Sequence, residues 1–473
     1  MLRLLSGVAA CLLPAGAILA ADWDFRPRVE LGQSYTNNVG LGEPGREESE
    51  WITELRPGLG LTVEAPRATL EADYEMQILR FDDNGNLDEE FNLARALGTI
   101  EALPDSGFID IFGRYDQQNV DTEGRAAFSN FFTTDNRTDF AIFGVSPYHI
   151  GSWGSFAESL VRVTAYDVRY RNTDPGVSLV PVDSDNVEFV AAIGSPESAA
   201  GISWDLRGSH TETDFETGET FEFDQAKFEL GVPVGPRVRL LGVIGQESDA
   251  LEDISQGGLD ESVWFLGFRW EPSDLQSLEI RGGDRFYGSA WEASWVRRGS
   301  RGELSFEYEE NPTTSTGVLG NDDLFLPGFP TIDLGSLDTR PFLQKRLSGL
   351  ASYQLARSVI TARVYSDRRE FLDMMAGEEE SAGLSVSYDW NAATRTTIGT
   401  LFNYELRDFE TGREDKYIDL TIRARRQITN VFAAELRLSR LQRDSDVSAE
   451  YDANLISLFL IARFGENELD SRR

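Results

Sequence analysis

Two histidines are the first places to look for chemistry. His149 stands beside a tight-turn signal, and His210 sits in "SHTETD" (209–214), with Ser209 and Asp214 close in sequence. A hydrolytic site needs a nucleophile, a base and an orienting acid within reach of one another. On a strand, Ser209 and His210 point to opposite faces, so they cannot meet directly. No glycine-rich phosphate loop and no metal-ligand cluster of recognised spacing occurs. These residues imply no enzyme, no cofactor, and no catalytic or metal-binding residues.

Charged groups are the other source of chemistry. The formal net charge is −36, which repels phosphate and argues against a nucleic-acid partner. Acidic runs such as "DDNGNLDEE", "ESDALEDISQGGLDE" and "GEEE" offer hard oxygen ligands for divalent cations. None has the spacing of a calcium loop, and a solvated acidic surface is the simpler reading. Of 44 basic residues only Lys227, Lys345 and Lys416 are lysines. Arginine is the better fork for carboxylates and sulfates.

Those arginines occur in a particular setting. In "KYIDLTIRARRQI" (416–428), Ile418, Leu420 and Ile422 alternate with Asp419, Thr421, Arg423 and Arg425. In "ATLEADYEMQI" (68–78), Leu70, Ala72 and Tyr74 alternate with Glu71, Asp73 and Glu75. "SVITARVYSD" isolates Arg363 in the same way, and "FAAELRLSR" isolates Arg437. Period-two alternation is the mark of strands with one apolar and one polar face. The chain shows no long helical period and no βαβ rhythm.

The connections decide which face meets what. Tight turn signals ("EAPRA", "LPDSG", "PVGPR", "RRGSR", "NAATR", "ITN") alternate with connections that are mostly longer and acidic, without a break, through the chain. Alternating short turns and long loops, with both termini on the short-turn side, are the pattern of a bacterial outer-membrane barrel. The expectation is an all-β fold: one antiparallel up-and-down transmembrane barrel of about 22 strands (range roughly 20–24), both termini periplasmic. Aliphatic faces then meet lipid. Glu71, Asp73, Glu75, Arg363, Arg423, Arg425 and Arg437 face the lumen, either as a polar track or as mutually neutralising pairs. Trp51, Phe81, Trp264, Trp270, Trp291, Trp295, Phe371 and Trp390 lie near strand ends or mid-strand; interfacial girdles explain those at strand ends, and sugar stacking is the alternative for any that face inward.

Residues 1–21 resemble an export signal: Arg3, then an apolar "LLSGVAACLLPAGAILA" with small residues before the expected cleavage. The barrel is expected over 22–464, followed by a polar periplasmic tail, 465–473. The final strand, "NLISLFLIARF", ends on Phe464, which looks like a signal to the outer-membrane insertion machinery. The loop 311–339 is long and partly apolar, and is expected to fold into the mouth or lumen as a constriction.

Several stretches together resemble one family, the outer-membrane β-barrel proteins associated with PEP-CTERM/exosortase and exopolysaccharide systems. They are "SYTNNVGL" (34–41), "LRPGLGLTV" (55–63), the central segment 283–315 with Gly283, Arg285, Tyr287 and Gly288, and the end, with Arg443, Ser445, Tyr451, Asn454 and Phe464. The resemblance spans most of the chain; the central motif is distinctive, and the others are shared with other barrels. Asn37, where an acid is expected, and the polar tail depart from the pattern. The resemblance implies an outer-membrane location and a link to surface polysaccharide, as a conduit or, alternatively, as a non-conducting anchor. It supplies no site residues.

Overall fold

In the computed structural model, 22 strands form one closed antiparallel sheet, numbered β1 to β22 along the chain. Described are residues 21–121, 123–125, 129–173, 179–196, 201–249, 258–320, 337–372, 377–447 and 450–465. The expected export signal lies outside these residues except for Ala21, as does the tail beyond Gly465. Each strand pairs with its sequence neighbours, and β1 (Asp22–Thr36) closes the ring on β22 (Tyr451–Arg463). The strand count is even, so both ends of the sheet lie at the short-turn rim. In strand order the expected tight turns fall between strand pairs at that rim and the expected longer connections between pairs at the opposite one; 197–199 of the expected turn 195–199, and parts of the longer connections, lie outside the described residues. Twenty-two strands, spaced ~4.8 Å and tilted ~40°, close at a diameter of about 40 Å.

Strand β22 explains the two faces. On its outer side Ile456, Leu458 and Leu460 are 51%, 61% and 48% exposed, while inward Leu455, Phe459 and Ile461 are 2–4% exposed. No protein covers the outer row, and something covers the inner one. The outer row continues round the barrel as an apolar band with aromatic edges. On β1 the band runs from Trp23, stacked near Phe25, to Tyr35, which packs on Trp51 at 5.1 Å. Twelve residues at ~3.4 Å and ~40° tilt make that span about 30 Å, the thickness of a bilayer's hydrocarbon.

The inner rows are covered by the chain's own loops. Val39 and Leu41, from 37–49, and Phe131 and Phe132, from 120–136, pack on Ile52, Leu79, Phe81, Phe91, Leu455 and Phe459. A second cluster seats Val318 and Leu319 of the short helix α1 (Ser315–Leu319), with Leu337, against Phe140, Val168, Phe342 and Phe371. The three segments are bonded together. Thr133 N–H donates to Val39 O at 2.9 Å, Arg125 to Gly40 O at 2.9 Å, and Leu337 N–H to Val120 O at 2.9 Å. The loop expected to turn inward does so over its described parts, with two partners that the alternation did not reveal. Inward Phe81 and Phe371 are therefore packed against loops rather than bare.

Candidate functional site

The lumen has two zones along the same strands. At the loop end its charges are buried. Asp415 on β20 (Glu414–Gln427) receives Arg443 at 2.6 and 3.1 Å, Arg413 at 2.5 and 2.9 Å, and the Tyr417 hydroxyl at 3.2 Å. The same arginines hold the inward loop, Arg413 donating to Glu123 O at 2.9 Å and Arg443 to Gly124 O at 3.3 Å. A second fully buried pair joins Arg285 to Glu247, whose Oε1 also accepts Phe286 N–H. The two-residue connection Phe286–Tyr287 ends at Gly288 with φ +106°, a conformation that favours glycine. The Tyr287 hydroxyl donates to Glu310 at 2.7 Å; burial and that carboxylate hold it well above the usual phenol range. At the ring closure Asn37 Oδ1 accepts Asn454 N–H at 2.6 Å, and Asn38 donates to Asp452 O at 3.0 Å. Residues that carry the family resemblance (Arg285, Tyr287, Arg443, Asn454) thus serve as loop-end anchors.

Toward the turn end the wall is wet and charged, and glycines shape it. Arg28 on β1 lies across Gly58 of β2 (Glu50–Ala65) to reach Asp73 at 2.7 Å and Glu75 at 3.1 Å on β3 (Ala68–Phe81). A Cβ at Gly58 would stand 2.8 Å from the Arg28 Nε. Arg423 on β20 likewise crosses Gly399 of β19 (Thr396–Asp408) to Asp389 on β18 (Glu378–Ala393), at 2.7 Å. The missing side chain lets a guanidinium lie flat and bond two strands away.

The seven residues singled out from the sequence fall into two groups. Glu71, Asp73 and Glu75 are on β3; Glu75 also meets Arg56 at 3.2 Å, and Glu71 is exposed. Arg363 is on β17 (Ser358–Phe371) and buried, Arg423 is half-exposed, and Arg425 stands opposite Glu435 in register. Arg437 is paired with Glu435 at 2.8 Å and lies over Phe459. Phe464 is 49% exposed and its N–H donates to Pro27 O at 2.9 Å, just beyond β22.

His210 is placed by the register directly opposite Asp224, with Nδ1 2.8 Å from its carboxylate and Glu212 3.5 Å from Nε2. Ser209 lies on the other face of that strand, as alternation requires. Among the described residues no group of three or more His, Cys, Asp or Glu is arranged to hold a metal ion. Parts of the acidic runs around 251–257 and 373–376 lie outside the described residues. The outer face is not apolar throughout: Arg440 pairs there with Asp452 at 3.5 Å, a polar step at the band's upper edge.

A closed sheet with an aliphatic exterior and a salt-bridged interior defines the architecture of a membrane-spanning β-barrel. No protein-family model and no curated protein matches the chain. Solved structures similar to it include a ferric enterobactin receptor (PfeA) variant from Pseudomonas aeruginosa, 10% identical, TM-score 0.49, over 93% of this chain and 80% of that one. The FrpB iron transporter of Neisseria meningitidis is similar at 9% identity and TM-score 0.49, over 95% and 83%. The outer-membrane protein OpdK of Pseudomonas aeruginosa is similar at 9% and 0.36, over 93% and 99%. The strand pairing itself carries the barrel assignment.

Proposed function

We propose that the chain is an integral outer-membrane barrel acting as a passive conduit, or an accessory to one, in the export or surface assembly of an exopolysaccharide. The observation that carries this reading is the turn-end lumen: a wide, wet wall whose Arg423–Asp389 pair is 53% and 50% exposed. A barrel about 40 Å across has room for a polymer. The polysaccharide link comes from the resemblance of the 34–41, 283–315 and 443–464 segments. The reading includes no reaction and no cofactor; its partners are outer-membrane lipid around the apolar band and the insertion machinery that would read Phe464. Export would use the N-terminal apolar stretch.

A second reading draws on the inward loops. Three segments hydrogen-bonded to one another across the loop-end lumen also suit a non-conducting scaffold that binds matrix polymer or a partner through its acidic outside loops. Planar-bilayer recordings separate the two. The conduit reading expects conductance that rises several-fold when 313–338, or 124–134, is deleted. Persistent silence in wild type and both deletions, with the barrels folded, favours the scaffold.

A further inference from the structure

Five of the ten tight turns end on an arginine just before the next strand: Arg67, Arg237, Arg301, Arg357 and Arg395. Their carbonyls accept N–H bonds from Glu101, Glu271, Gln354, Asn391 and Gln427, the residues next in register on the adjoining strands. The ladder therefore runs one pair past the strand ends. Alternation puts these arginines on the same side as Asp73 and Arg423, around the rim of the lumen.

The five are not equivalent. Arg67 and Arg237 stand opposite glutamates. Arg301, Arg357 and Arg395 sit on three successive turns, opposite neutral Gln354, Asn391 and Gln427, and they are exposed with no ion-pair partner among the described residues. Above them, from β16 (Phe342–Gln354) to β21 (Phe432–Ser445), the lumen side carries Arg363, Arg423, Arg425 and Arg437. Toward the turn end the carboxylates on the same wall are Asp389, Asp419 and Glu435, with Glu303 and Glu307 on β15 (Gly302–Thr313) above Arg301; Asp367, Glu379, Glu405 and Asp415 lie nearer the loop end, among Arg346, Arg369, Arg407 and Arg443. The residues between are largely hydroxyls and amides such as Thr361, Ser385, Ser387, Thr397 and Thr421, which suit sugar hydroxyls. Roughly a third of the way round, the wall of β2 to β4 (Glu89–Leu103) reverses the balance with Glu64, Glu71, Asp73, Glu75 and Glu101. The long-loop rim is acidic as well, so the basic sector opens only toward the turn end.

We propose that this sector, from the Arg301–Arg357–Arg395 rim up to Arg423 and Arg425, is a binding track for a polyanionic, carboxylate-bearing polysaccharide entering at the short-turn end. This rests on the polysaccharide reading above and gives it a substrate class. Carboxylates along a sugar chain meet guanidinium forks, and Arg423, held flat across Gly399 by Asp389, offers its open face to a ring. The acidic wall across the lumen keeps a polyanion on the basic side.

The test uses the full-length barrel in detergent with alginate oligosaccharides as the probe and dextran oligomers of equal length as the neutral control. Binding of alginate and not dextran is expected, weakening as salt is raised from 50 to 300 mM. The pair Arg357→Gln/Arg395→Gln is expected to lower alginate affinity about tenfold, and Arg67→Gln/Arg237→Gln less than about twofold. Equal losses in the two pairs, or equal binding of dextran, would overturn the track. Single-channel recording keeps the two proposals apart. Conductance without alginate binding sinks the track and leaves the conduit; alginate binding that depends on Arg357 and Arg395 in a barrel that never conducts leaves the track and sinks the conduit.

Discussion

Arg443 and Arg423 hold aspartates at nearly the same distance, 2.6 Å to Asp415 and 2.7 Å to Asp389, inside the same lumen. The first pair is 1% and 0% exposed and the second 53% and 50%. The chemistry is the same and the surroundings are opposite. At the loop end the chain has used arginine to anchor inward loops, where an unpaired charge is costly. At the turn end it leaves arginine in water, where a pair is worth little to stability and its guanidinium stays available to a solute. Sequence alternation treats the two arginines alike; burial separates structure from site.

The largest expected break in this contrast is Asp415→Asn. It leaves Arg413 and Arg443 buried with a weakened acceptor and should cost about 3–5 kcal/mol, read by urea unfolding in bilayers. The same variant should release the 120–136 loop and raise open-channel conductance. Next is Phe132→Ala, which removes a 2% exposed ring from the loop cluster and should cost about 3 kcal/mol. Its signature is flickering conductance at unchanged ion selectivity. Asp389→Asn should change stability by less than about 1 kcal/mol, yet shift the reversal potential in a KCl gradient toward chloride. If it destabilises as much as Asp415→Asn, the turn-end wall is structural and the contrast fails. Smallest in stability is Gly399→Ala. Its Cβ would stand 2.4 Å from Arg423 Nε, so the guanidinium must swing off Asp389. Both charges remain in the lumen, so the reversal potential should shift much less than in Asp389→Asn, and the folded fraction should not change.

Much of the barrel was legible because its signals are local. Leu420 beside Thr421, or Tyr74 beside Glu75, assigns a face to each strand without knowledge of its neighbours. "PVGPR" and "NAATR" mark hairpins by turn chemistry alone. The inward loops were less legible because their partners are far away in sequence. Val39 shares a cluster with Phe132, 93 residues away, and Arg443 meets Gly124 O, 319 residues away. A local trace of them exists. "SLFLIA" in the last strand is apolar at consecutive positions, so Phe459 and Ile461 face inward and need a cover. "AAFSNFF" puts three phenylalanines in a connection otherwise read as polar. Three arginines, Arg301, Arg357 and Arg395, show as isolated turn residues in the sequence. Only the extra register pair beyond each strand end aligns them on one rim.

By itself the sequence determined the strand number to within about two, the alternation of tight turns with longer loops, and which side chains share a face. These follow from a two-residue period and from turn residues acting over a few positions. The tertiary structure alone decided which lumen charges are dry and which are wet. That depends on three loops folding back into a ring about 40 Å wide, and on glycines that stand on the strand between an arginine and its partner. Burial of a charge is a property of everything packed around it, and no local pattern encodes it.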